Sequence, residues 1–277
     1  MLHARTVPPG FPGFPIGLGC YPMSEAFRPI DDAESTRAIH AAYDAGVRLF
    51  DTADAYGPNH NERLLGRALR RGRDAFVATK GGYVRPHGAW VPDGHPEHLR
   101  AACEGSLRRL GVERIDLYQL HAPDPDVPIE ESVGALEELR TAGKIARIGL
   151  SNVGVEEIEA ARAAAPIASV QNELNLSSQE DLRDVVPYCE RTGILYIAYA
   201  PLHQGAFRLP QVRHLAKMNG VSPAAVVLAW LLGTSPAVLP IPGTQSADHA
   251  RENAENAVRF ALPERDMREL TTVAERR

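Results

Sequence analysis

Cysteine is scarce in this chain: three in 277 residues, Cys20, Cys103 and Cys189, far apart and odd in number. None belongs to a Cys-x-x-Cys pair or a Cys/His cluster of ligand spacing. A disulfide framework and a metal site are therefore not expected, and the three read as reduced thiols of a cytoplasmic protein. Long apolar runs are also missing. The longest, AAVVLAWLL from Ala224 to Leu232, falls well short of the ~20 residues a membrane span needs and reads as a core helix. The opening MLHARTVPPGFPGFP has no apolar centre or cleavage pattern, so no secretion signal is expected. Positive charge is not in excess, with 30 Lys and Arg against 35 Asp and Glu and a net charge of −5. That balance offers no basic footprint for nucleic acid. The nearest approach, Arg70, Arg71 and Arg73, suits a helix C-terminus, where cations are favoured. No repeat or low-complexity tract is present, and no Gly-x-Gly-x-x-Gly opens a βαβ unit, so a Rossmann site has no support.

What is present is alternation. Short apolar runs at 15–20, 47–51, 75–80, 115–121, 146–151, 167–171, 195–199 and 238–241 read as strands. Between them, helical patterns fall near 33–45, 60–71, 96–110, 129–142, 155–164, 178–192, 222–233 and 246–260, with a further helix from about 263. Asp31 or Asp32 can cap the first helix, and Ser177 or Ser178 the one near 178. Pro96 and Pro223 sit where a first-turn proline is tolerated. Gly46, Gly111, Gly143 and Gly193 follow helical runs. Eight strand–helix units in one chain of this length, with strands apolar on both faces, predict a single-domain (β/α)8 TIM barrel over 1–277. A doubly wound open sheet is the runner-up.

Several of these strands end on chemistry. RLFD stops at Asp51, FVATK at Lys80, LYQLH at His121, RIGLSN at Ser151 and Asn152, ASVQ at Gln171 and YIAY at Tyr199. In a barrel these ends share one mouth, where barrel active sites lie. Tyr56 follows Asp51 closely. A neighbouring ammonium is expected to lower the pKa of a tyrosine. Asp51 can pair with Lys80, and His121 can donate to a substrate oxygen or relay a proton. The kit suits protonation of a carbonyl oxygen, with hydride supplied by a cofactor.

These segments, with GLGC, FDTADAYG, ATKGG, SVQNELN, AYAPL and IPGT…EN, resemble the aldo-keto reductase superfamily over nearly the whole chain, most nearly a bacterial branch with IPGT. The resemblance implies NADPH-dependent reduction of an aldehyde or ketone, without metal or flavin. It implies that Asp51, Tyr56, Lys80 and His121 are catalytic, with Tyr56 as general acid. It places Ser151, Asn152 and Gln171 at the nicotinamide carboxamide and Tyr199 against the ring. It further implies cofactor contacts from Asp51, Gly19, Cys20, Leu202, Gly205, Gly243, Thr244, Gln245, His249 and Asn253. Two departures matter. Gly243 and His249 stand where relatives carry a lysine and an arginine for the 2′-phosphate, so NADH use is also allowed for. The chain ends soon after the last helix, so a more open pocket is expected.

Substrate contacts are expected from His121 and from loops, namely Tyr21, Met23, Trp90 and His203. Trp230 reads as core, and His87, His95 and His98 as loop and helix surface. Two alternatives share the fold: an NADPH-binding regulatory subunit with little turnover, and a Schiff-base aldolase built on Lys80. The partner is a small carbonyl compound; oligomeric state is left open.

Overall fold

The computed structural model describes residues 7–25, 31–70, 74–202 and 206–275. Its strands in chain order are β1 (Leu18–Gly19), β2 (Leu49–Asp51), β3 (Phe76–Gly81), β4 (Tyr83–Val84), β5 (Val91–Pro92), β6 (Leu117–Leu120), β7 (Ile148–Ser151), β8 (Ile167–Glu173), β9 (Leu195–Tyr199) and β10 (Val238–Pro240). Eight of them form one parallel sheet in the order β1-β2-β3-β6-β7-β8-β9-β10, while β4 and β5 make a separate antiparallel hairpin. The sheet closes on itself. Gly17 N–H donates to Pro240 O at 2.9 Å, Gly19 N–H donates to Pro242 O at 3.2 Å, and Gly19 bridges Gly243. This is the expected (β/α)8 barrel.

The helices are α1 (Asp32–Asp44), α2 (His60–Leu69), α3 (Pro96–Leu110), α4 (Ile129–Thr141), α5 (Val155–Ala164), α6 (Val185–Thr192), α7 (Pro210–Asn219), α8 (Pro223–Thr234), α9 (Ala247–Arg259) and α10 (Glu264–Glu275). Asp31 caps α1, accepting from the N–H groups of Ala33 and Glu34. Ser222 caps α8 with Pro223 behind it. Helix α8 is apolar all round, as its sequence requires, and Val226, Val227, Leu228, Trp230 and Leu231 are fully buried. Burying each such side chain contributes about 1.5–3 kcal/mol. Trp230 keeps its indole N–H satisfied on Thr271 Oγ1 of α10, at 3.0 Å.

Two cores result. A large one lies between sheet and helices. A smaller one fills the barrel with Leu49, Phe76, Ala78, Leu117, Leu195, Ile197, Leu239 and Ile241. Phe11 packs against that inner cluster, its ring 5.2 Å from Phe76 at the N-terminal end of β3. Phe11 thus lies at the end of the barrel opposite the polar strand ends.

Departures from expectation are local. Helix α7 was not foreseen, and neither was the β4–β5 hairpin. The helix expected from 178 begins at Val185, capped by Asp184 rather than a serine. Asn175 accepts from the N–H groups of Ser177 and Ser178 at 2.8 and 3.1 Å, holding those residues in a turn instead. Gly205, His203, Arg71 and Arg73 lie outside the described residues.

Candidate active site

The parallel register places the polar strand ends at one level. Gly19 pairs with Asp51, Lys80 with Gln119, and Ser151 with Gln171. The loop after β2 is held to β1 by Asn61, which is fully buried. Asn61 donates to Cys20 O at 2.8 Å and Ser24 Oγ at 2.7 Å, and accepts from Thr52 Oγ1 at 2.7 Å. Gly57 turns the chain at φ +53°, where a Cβ would press 2.8 Å from Ser24 Cβ. This turn aims Tyr56 back at the strand ends.

Lys80 is 1% exposed, and its ammonium is fully engaged. It donates to Asp51 Oδ1 at 2.6 Å, to Thr52 O at 3.0 Å and to Tyr56 OH at 3.2 Å. An ammonium has three donors, so none is left over. Asp51 Oδ2 accepts from Gln171 Nε2 at 2.8 Å and Gln119 Nε2 at 3.4 Å. The phenol oxygen of Tyr56 is thereby occupied as an acceptor, and its own proton is free to point elsewhere. Burial first, then the charge of Asp51, pushes the Tyr56 phenol well above its ordinary 10. This corrects the expectation that Lys80 lowers it: Asp51 neutralises the ammonium at close range, and desolvation of the phenolate wins.

His121 packs edge-on to Tyr56, ring centroids 5.7 Å apart. Burial, reinforced by Lys80, holds the imidazole well below the ordinary 6.5, so the ring is neutral. Its Nδ1 is buried without a partner among the described residues. A proton there would be an orphaned buried donor, which costs about 1–3 kcal/mol. The favoured tautomer therefore carries its proton on Nε2, making His121 a hydrogen-bond donor.

These groups face a cavity of about 460 Å³ lined by Gly19, Asp51, Tyr56, Trp90, His121 and Tyr199 among others. Ser151, Asn152 and Gln171 form one wall. Asn152, at φ +59°, donates to His121 O at 2.9 Å and accepts from Tyr199 OH at 2.9 Å. Ser151 Oγ donates to Gln171 O at 2.7 Å. An aromatic face, two amides and a hydroxyl are thus locked together, a set able to hold a planar ring bearing a carboxamide. Tyr21, Leu202 and Gly243 also line the cavity.

Other expected site residues lie elsewhere. Met23 is fully buried in the large core, because its short 3-10 turn faces inward, so it cannot touch substrate. Cys20 does not line the cavity either: it is 1% exposed in the same core, and burial pushes its thiol far above the usual thiol range. Gln245 is turned inward to donate to Pro22 O. Thr244 Oγ1 accepts from Ser246 N–H at 3.0 Å. His249 is exposed in the first turn of α9 and Asn253 is buried on that helix; neither lines the cavity. His95 and His98, expected as plain surface, lie against carboxylates.

Several neighbours escaped the sequence reading. Tyr83 packs 4.8 Å from His121 and 5.3 Å from Trp90, ring to ring. Arg85 lies over Trp90 at 3.8 Å. Gln119 could have been found from strand alternation, since it stands two residues before His121 and shares its face. The hairpin residues carried no comparable signal.

The family model described as the aldo/keto reductase family matches residues 15–275. A probable aldo-keto reductase of Glycine max is 35% identical over 94% of this chain and 85% of its own. The glycerol dehydrogenase of Gluconobacter oxydans superposes with a TM-score of 0.88 at 29% identity, over 100% of this chain and 96% of the other. An aldo-keto reductase of Klebsiella pneumoniae, solved in complex with NADPH, gives 0.84 at 30% identity over 94% and 90%. By the match across its whole barrel, this chain belongs to the aldo/keto reductase family.

Proposed function

We propose that this protein reduces an aldehyde or ketone to an alcohol with NADPH, Tyr56 acting as general acid. The observation that carries the reading is the chain Asp51–Lys80–Tyr56, at 2.6 and 3.2 Å, ending at the cavity. Tyr56 enters the reaction protonated and with its oxygen already receiving a Lys80 hydrogen bond, so its proton is the one it can give to a carbonyl oxygen. As that proton leaves, negative charge grows on an oxygen already facing an ammonium, which favours transfer at the transition state. His121 Nε2–H orients the carbonyl by donating to it. Asp51, pinned by Gln171 and Gln119, keeps Lys80 aimed.

Tyr199, Asn152, Ser151 and Gln171 suit the nicotinamide end of the cofactor, whose bound form supplies the hydride. At the other end the strongest expected anion partner is absent: Gly243 has no side chain, and Arg251 of α9 pairs with Asp248 at 3.3 Å. NADPH is the expected cofactor, as in the Klebsiella pneumoniae relative solved with it, and the missing anion partner leaves NADH as a weaker second cofactor. Lys80 is ill suited to Schiff-base chemistry, since each of its three donors is engaged, on Asp51, Thr52 O or Tyr56 OH. Three buried free thiols are compatible with a reducing, cytoplasmic setting.

The test is Tyr56→Phe. Turnover across a panel of carbonyl compounds is expected to fall by about 10²–10⁴-fold, the usual worth of a positioned acid, while quenching on NADPH titration is retained. Turnover within a few-fold of wild type would remove Tyr56 from its role. Tight NADPH binding by the wild type with no turnover of any carbonyl would favour a regulatory subunit instead.

A further inference from the structure

From the end of β5 into the first turn of α3 the chain reads Asp93-Gly94-His95-Pro96-Glu97-His98. This stretch lies beside the loop after β6, three residues past His121, where Asp124 stands. Asp93 Oδ1 is 3.1 Å from His95 Nδ1, Asp93 Oδ2 is 3.5 Å from His98 Nδ1, and Asp124 Oδ2 is 3.9 Å from His95 Nδ1. The ligand atoms of Asp93, His95 and Asp124 all fall within 4.8 Å of one another. Around an ion with bonds of about 2.0–2.2 Å, tetrahedral ligand atoms sit roughly 3.3–3.6 Å apart. The two separations from His95 Nδ1, 3.1 Å to Asp93 and 3.9 Å to Asp124, bracket that spacing.

We propose that Asp93, His95 and Asp124 form a binding site for a divalent transition-metal ion of the Zn²⁺ or Co²⁺ type, with His98 beside it, its Nδ1 3.5 Å from the second oxygen of Asp93. The donor set selects the class. One imidazole with two carboxylates suits zinc and its neighbours, whereas calcium and magnesium favour all-oxygen cages and copper(I) wants sulfur. The carboxylates are held in place before any ion arrives. Asp124 Oδ2 accepts from Gly94 N–H at 2.8 Å and Oδ1 from Asp126 N–H at 2.9 Å, while Asp93 Oδ1 accepts from His95 N–H at 3.3 Å. Such contacts orient ligands around metals. Each carboxylate has about four lone-pair sites, so capacity for an ion remains. Pro96 stiffens the turn, Ser132 Oγ fastens it to α4 through Gly94 O at 2.6 Å, and the His95 side chain, 65% exposed, leaves an entry path. The ion then fastens the foot of the hairpin that carries Tyr83 and Trp90 to the loop that carries His121. This site stands independently of the reaction proposed above.

The experiment uses the whole chain, treated with chelator and titrated with ZnCl₂ by calorimetry and with CoCl₂ by visible absorption. One equivalent of Zn²⁺ should bind, with the Co²⁺ form showing the intense visible bands of a low-coordinate site. His95→Ala removes an exposed ring and no packing, so it should fold. Together with His98→Ala it should weaken Zn²⁺ binding by at least ~10-fold, the scale on which even indirect supports of metal sites act, and abolish the Co²⁺ bands. His214→Ala, on α7, should change neither. Equal Zn²⁺ uptake by wild type and the His95/His98 double variant, or no stoichiometric uptake by the wild type, overturns the proposal.

Discussion

Asp54 keeps a carboxyl where charge is poorly tolerated. It stands two residues before Tyr56, its N–H donates to Lys80 O at 3.2 Å, and its Oδ1 is buried without a partner. Burial first, and then the charge of Glu62, pushes the group up to about 7, against opposing help from Arg109, the Ala55 N–H and Lys80. A carboxyl whose folded value lies above its unfolded value of about 3.9 binds its proton more tightly in the native state. Its contribution to stability is whole below about pH 4 and is lost as pH rises through 7. Asp54→Asn should therefore gain on the wild type as pH rises. We expect the stability difference between the two to move by a few kcal/mol between pH 4.5 and 8, read from urea unfolding at both values. A difference that stays flat would mean Asp54 is ionised throughout. At this scale the sequence was most legible where a polar residue closes an apolar run. Asp51, Lys80, His121, Asn152, Gln171 and Tyr199 all reach the site in that way. It misled where polarity and side-chain direction part company. Cys20 and Met23 follow the first strand in sequence, yet both side chains enter the core. The titration of Tyr56 depends on how closely Asp51 approaches Lys80, a distance no spacing encodes.

The β4–β5 hairpin is the element that places the outer wall of the cavity, and it is latched there as well as packed. Arg85 donates to Glu25 Oε1 at 2.9 Å and to Ala55 O at 3.1 Å, while its guanidinium covers Trp90. Glu25 Oε1 also accepts from Gly57 N–H at 2.9 Å, next to Tyr56. One carboxylate thus joins the loop that aims the acid to the hairpin that bounds the cavity. Arg85→Ala removes the latch and the stacked cation but touches none of the reacting groups. KM for the carbonyl should rise about tenfold, the equivalent of ~1.4 kcal/mol, with kcat changed much less. Arg85→Lys should recover only part, since an ammonium does not stack as a guanidinium does. An unchanged KM in Arg85→Ala would show that Trp90 holds its place unaided. The hairpin was hidden in the sequence because its strands have two residues each and their pairing is set by contacts with Glu25 and His121, far away in the chain. Helix α7 was hidden differently. Pro210 and Gly220 bracket it as a first-turn proline and a left-handed cap, but Val212 and Ala216 are its only fully buried residues, too thin an apolar stripe for periodicity to register.

The barrel as a whole depends on a short seam. Strand β1 contributes two residues, and beyond its pairing with β2 it meets the last strand's end through Gly17 and Gly19. A Cβ on Gly19 would lie 2.7 Å from Ile241 O, and that carbonyl is backbone, so it can yield only if the two edges part. Gly19 also lines the cavity, which places closure of the ring and shaping of the site on the same residue. Gly19→Ala should cost about 1–3 kcal/mol, the usual penalty of overpacking, and should weaken NADPH binding in parallel. Gly134→Ala on α4, where nothing lies within 4 Å, should instead stabilise by about 0.5–1 kcal/mol, as replacing a mid-helix glycine does. Urea unfolding separates two ways in which the seam can fail. If the ring stays closed under strain, the midpoint of Gly19→Ala falls while the slope is unchanged. If the ring opens, the native state already exposes surface, and the slope falls as well. A Gly19→Ala protein with wild-type midpoint and cofactor affinity would show that β1 is an accessory to a barrel held shut elsewhere.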